Sequence, residues 1–155
     1  MIVGFKLKKV LAEKLFSSKE EKAKPIKITN VSTKTDIIDV SEQKIEIKDQ
    51  DAINLDFSFE VNYEPKIAKI IIEGQILSVL EKNKAKEILD SWKKKELPKE
   101  VRLEAVNFIL AKCSIKALDL EESMNLPPHF PLPRFQLKEP KGQDNKEKGN
   151  TNYAG

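Results

Sequence analysis

Two periods of apolar and polar alternation run along this chain, and the change from one to the other divides it. From Leu55 to Tyr63 the alternation is faultless. Leu55, Phe57, Phe59, Val61 and Tyr63 share one face and polar side chains the other, the period of two of a half-buried strand. Glu64-Pro65-Lys66 has turn chemistry, and Ala68 to Val79 returns as another strand, which predicts an antiparallel hairpin. Gly74, inside the returning strand, signals a bulge or the close approach of another backbone. Upstream, Ile26 to Val31 carries the same alternation, which continues through Ile45-Glu46-Ile47, so four antiparallel strands are predicted within Ile26 to Val79.

After Val79 the period becomes helical. Ala85, Ile88, Leu89 and Trp92 recur at i, i+3, i+4 and i+7 and predict an amphipathic helix over Ala85–Lys95, its outer face carrying Lys93, Lys94 and Lys95. That lysine run reads as a solvated face, and Trp92 as core. Pro98 opens a longer helix, Pro98–Ser123, where its missing N–H would have had no partner anyway. On it Leu103, Val106, Ile109, Leu110, Cys113, Ala117 and Leu120 form one arc, and Val101, Ala105, Phe108, Ala111 and Ile115 much of the opposite side. A helix apolar on two sides needs two partners. One is the sheet; the other is the preceding helix or another subunit, which makes Val101, Ala105, Phe108 and Ile115 the candidate oligomer interface.

The helix must stop at Asn125-Leu126-Pro127-Pro128, and prolines 127, 128, 131 and 133 hold the chain extended as far as Phe135. Phe130, Leu132 and Phe135 are too apolar for a free tail and predict an arm lying across the domain. At the other end, Ile2, Phe5, Leu7, Val10, Leu11, Leu15 and Phe16 are interleaved with Lys6, Lys8, Lys9 and Lys14, which predicts a short amphipathic helix over Met1–Phe16. Lysines interrupt its apolar run and no small-residue cleavage site follows, so a secretory signal is not predicted. Strands first and helices last argue for an α+β domain, a four-stranded antiparallel sheet with two C-terminal helices packed on one face. The expected organisation is an amphipathic segment and linker over 1–25, the domain over 26–137, and a disordered polar tail over 138–155.

Composition narrows the function. With 28 basic and 25 acidic residues among 155, the net charge of +3 lacks the excess of a chain that coats nucleic acid. One cysteine, Cys113, allows no intrachain disulfide and no cysteine metal site, which fits a reduced, cytoplasmic setting, and no apolar run is long enough to span a bilayer. His129 is the sole histidine and stands among prolines with no serine or cysteine motif nearby, so a catalytic triad or two-histidine metal site is not expected. Glycine-rich phosphate cradles are missing, and the adjacent acids Glu121-Glu122 and Glu20-Glu21 do not face each other on a helix. No enzyme activity, metal or other cofactor is expected.

The succession of a Lys27-Ile28-Thr29-Asn30-Val31-Ser32 strand, a Phe57-Ser58-Phe59-Glu60-Val61 strand, a strand ending Gly74-Gln75-Ile76-Leu77-Ser78-Val79, a long helix and then Met124-Asn125-Leu126-Pro127-Pro128 resembles the bacterial export chaperone SecB and its looser relatives. The resemblance covers roughly Ile26 to Phe135. It implies a four-stranded antiparallel sheet with helices on one face, assembly as a dimer or tetramer, and ATP-independent holding of unfolded or export-bound precursor polypeptides along apolar grooves. It also leaves open a non-enzymatic adaptor with one fixed partner, the ribosome or the translocase. For a groove, Phe57, Phe59 and Ile76 are the candidate floor and Phe130, Leu132 and Phe135 the candidate wall; the other reading makes all six ordinary core and arm-docking residues.

Overall fold

The computed structural model describes residues 1–16 and 26–137. The predicted disordered tail over 138–155 and the predicted linker over 17–25 lie outside them. Four strands, β1 (Ile2–Lys14), β2 (Asn30–Gln43), β3 (Gln50–Glu64) and β4 (Ala68–Glu81), precede two helices, α1 (Lys82–Trp92) and α2 (Lys99–Ser123). The strands form one antiparallel sheet in the order β1-β4-β3-β2.

The hairpin stands where the alternation places it. β3 and β4 pair without interruption from Gln50↔Glu81 to Tyr63↔Ala68. Ile53, Leu55, Phe57, Phe59, Val61 and Tyr63 of β3 and Ile70, Ile72 and Ile76 of β4 are almost wholly buried beneath the helices. Unbroken alternation leaves one face apolar, and only a cover of helices removes it from water.

Met1–Phe16 is a strand, not the amphipathic helix its spacing suggests, and the fourth strand of the sheet comes from here. In the β1–β4 register Ile2, Phe5, Leu7, Val10 and Ala12 stand opposite Ser78, Ile76, Gly74, Ile72 and Ile70, all on one face. Two register shifts, between Ile2 and Gly4 and between Leu7 and Lys9, each insert one residue into β1. A bulge turns a spacing of two into three. Apolar steps of three, two, three and two then imitate the i, i+3 rhythm of a helix. β2 has one such shift, between Ile37 and Asp39, so that Val31, Thr35, Ile37 and Val40 face the same side. Ile26 and Ile28 precede β2, and Ile45 and Ile47 lie in the β2–β3 connection rather than in a strand.

Gly74 is where two strands crowd. A Cβ there would stand 2.4 Å from the Lys6 carbonyl oxygen of β1 and 2.8 Å from the Phe57 ring. The close approach signalled by the glycine is that of bulged β1.

On α2 the buried residues are Ala105, Ile109, Cys113, Ala117 and Glu121. Steps of four drift slowly around a helix of 3.6 residues per turn, so this stripe crosses both arcs drawn from the sequence. Leu103 and Ile115 fall off it and are 64% and 71% exposed. Phe5 fills the gap beneath the helix, stacked on Phe57 at 5.6 Å and edge-on to Phe108 at 5.8 Å. No helix among the described residues is long and apolar enough to cross a membrane.

Candidate polypeptide-binding surface

Two features meet where α2 ends, and a third lies near its start. The first is the cap. Asn125 takes a left-handed backbone, φ 53°, and sends the Leu126 N–H back to the Glu121 carbonyl at 2.8 Å and its own N–H to the Glu122 carbonyl at 3.2 Å. That is a Schellman ending, with buried Leu126 as its apolar contact, and the prolines that follow cannot resume the helix. The chain therefore folds back over Glu121.

The second feature is what Glu121 meets there. Its carboxylate is buried at a stripe position otherwise held by alanine, isoleucine and cysteine, where an unpaired charge would be costly. Oε1 lies 2.5 Å from His129 Nδ1, and Oε2 accepts from the His129 backbone N–H at 3.3 Å. His129 Nε2 lies 3.3 Å from Ser114 Oγ, and the ring packs edge-on to Phe59 and Phe130. Tyr63, from β3, donates its hydroxyl to the Pro127 carbonyl at 2.6 Å. Burial, and then the neighbouring Glu121 charge, push the Tyr63 phenol well above its ordinary pKa. The arm is thus latched by one imidazole–carboxylate pair and one phenol.

Ser114, His129 and Glu121 stand in the order of a nucleophilic relay, although Ser114 and Glu121 lie 15 and 8 positions from His129 in the chain. The chemistry stops at that resemblance. Ser114 sits mid-helix, where backbone N–H groups are spent on carbonyls one turn back and none is left to hold an oxyanion. Among the described residues no group of three or more His, Cys, Asp or Glu is placed to hold a metal. Cys113 is buried, and burial raises its thiol pKa to about 11.

The third feature is a cleft of about 300 Å³ between the edge strand β2 and the α1–α2 connection. Ile37 and Ile38 form one wall, Trp92 and Leu97 another, and Arg102 and Val106 of α2 the third. Trp92 is packed against the core, as its spacing predicts, yet it also lines the cleft. Its indole N–H donates to Asp39 at 3.2 Å, and Lys95 Nζ lies 4.8 Å from the ring centroid.

The candidate site residues separate accordingly. Phe57, Phe59 and Ile76 are core, each 0% exposed, so they offer no open groove floor in this conformation. Phe130 joins Phe59 through the His129 ring. Leu132 and Phe135 do not dock, being 48% and 93% exposed. Of the candidate interface, Ala105 is buried and Val101 and Phe108 are half-buried by their own chain, leaving Ile115 open together with Leu103.

No family model matches the chain, and no curated protein is similar to it in sequence. Among solved structures it is similar to the Mycobacterium tuberculosis SecB-like chaperone Rv1957 in complex with a ChAD peptide from the antitoxin HigA1. That similarity has 17% sequence identity and a TM-score of 0.48, over 83% of this chain and 82% of the other.

Proposed function

We propose that this protein is a SecB-like, ATP-independent holder of unfolded polypeptides that works as an oligomer. One observation carries the reading: large apolar side chains stand open on two elements, Ile38 of β2 in the cleft wall and Leu103 and Ile115 on α2, at 52, 64 and 71% exposure. Apolar surface of this kind costs solubility and is retained where a partner covers it. An extended polypeptide laid across it gains about 25 cal/mol per Å² of apolar area removed from water, whatever its sequence. Self-association through the Leu103–Ile115 side of α2 would cover the rest. The test is aggregation of several unrelated, chemically unfolded proteins at increasing chaperone ratio without nucleotide. Suppression across the set supports the reading, and none at several-fold molar excess overturns it.

A second reading, a non-enzymatic adaptor with one fixed partner such as the ribosome or the translocase, is favoured by the closed floor. Phe57, Phe59 and Ile76 present no preformed groove for varied clients. It predicts that a tagged protein captures one partner stoichiometrically and leaves unfolded proteins to precipitate.

A further inference from the structure

The last fixed point of the arm is His129, and both of its neighbours lead toward the cleft. Phe59, against its ring, pairs with Thr35 in the β2–β3 ladder, and Thr35 lines the cleft. Ser114, at its Nε2, lies on α2 eight positions from Val106 of the cleft wall, about 12 Å at the helical rise. Prolines 131 and 133 bias the segment beyond to polyproline-like extension, about 3.1 Å per residue, so Phe135 reaches about 19 Å from His129. A segment already straight loses little entropy on being laid down. Its missing N–H groups bar a continuous ladder along β2, so apolar side chains must seat it.

We propose that Phe130–Leu137 is a strap that closes over the cleft, setting Leu132 and Phe135 against Trp92, Ile37, Leu97 and Val106, and that an extended apolar polypeptide must displace it. Asp36 on the β2 rim already pairs with Lys34 at 2.9 Å, so it is not counted on to hold Arg134. Lys95 and Arg102 on the other rim oppose a basic occupant, so apolar contact carries the closing. Only the displacing competitor rests on the proposed holding function; closure itself does not.

The chain's single tryptophan, Trp92, lines the cleft and reports on it. In the full chain, a nitroxide on Gln136→Cys, beside the seating residue Phe135, is expected to quench Trp92 emission by more than half, independently of protein concentration, with buried Cys113 unlabelled. In the unlabelled triple variant Leu132→Ser, Phe135→Ser, Leu137→Ser, acrylamide quenching of Trp92 is expected to rise at least two-fold. That variant is expected to bind a 15-residue unstructured Leu- and Phe-containing peptide about five-fold more tightly than the native chain does. All three substitutions fall on exposed positions, so the fold is not at stake. Absent quenching, quenching that grows with concentration, or a triple variant with unchanged acrylamide access or no gain in peptide affinity overturns the strap. Quenching by the label that no polypeptide relieves supports the strap and overturns the holding function instead.

Discussion

Replacing His129 by leucine strands a carboxylate. Glu121 and His129 have side chains 1% and 4% exposed, and their closest contact is the 2.5 Å approach of Oε1 to Nδ1. With the imidazole gone, Glu121 keeps the residue-129 N–H and the nearby Tyr63 phenol, but nothing replaces the ring. Removing one member of a buried pair costs about 3–5 kcal/mol. For a domain of this size that lowers Tm by roughly 10–20 °C. Glu121→Leu leaves the buried His129 ring without its Nδ1 partner, at about 1–3 kcal/mol. The double variant puts two leucines against Phe59 and Phe130 and is expected within about 1 kcal/mol of the native chain, since an apolar replacement of both partners is close to neutral. The double-mutant cycle therefore predicts a coupling energy on the order of 6 kcal/mol. Urea unfolding followed by Trp92 emission measures all four proteins, and equal m-values license the comparison. A His129→Leu loss below about 1 kcal/mol, or a double variant equal to the sum of the singles, would refute the latch as an energetic pair.

Gly74→Ala drives a methyl into the Lys6 carbonyl and the Phe57 ring, so β1 must lift; a loss of about 3 kcal/mol is expected, with hydrogen exchange showing β1 amides losing protection first. Cys113 should resist alkylation at pH 8 until the protein unfolds. Burial raises its folded pKa above the unfolded value of 9.0 to about 11, so its contribution to stability is complete below pH 9 and is lost as the pH climbs toward 11. Alkaline titration of urea stability checks that sign, and Cys113→Ala should flatten the decline. Leu103→Asp with Ile115→Asp, both on open positions, should leave Tm nearly unchanged while sedimentation shifts toward monomer. A native chain that is already monomeric at micromolar concentration defeats the self-association part of the proposal.

How much of this was legible follows from where the periods stay regular. β3 and β4 pair without a shift, so their alternation reads straight off the chain, and Gly74 announces its own close contact. β1 does not, because its two bulges convert a strand rhythm into one that passes for helical. On α2 the apolar residues were visible, but which side turns inward depends on drift across a twisted sheet, so Leu103 and Ala105 exchanged roles. The latch was hidden for another reason. Glu121 looks like half of an adjacent acid pair, and His129 lies 8 positions from Glu121 and 15 from Ser114. Only the left-handed turn at Asn125 brings them together. An asparagine followed by two prolines after a helix is a signal for such a return, and an unexplained glutamate one turn earlier is where to look for its partner.

The bulges of β1 bear on a hazard of all open sheets. β1 is an outer strand, and its far side offers unpaired N–H and C=O groups to any passing extended chain. Val3 and Lys8 are the inserted residues, and each breaks the row of groups just where a neighbouring copy would need it continuous. Lys6, Lys9 and Lys14 add charge that resists stacking. Deleting Val3 and Lys8 would keep every apolar side chain on its present face while leaving a flush edge, a template for amyloid-like growth. The irregularity that disguises this strand in the sequence is thus also its guard against endless sheet extension.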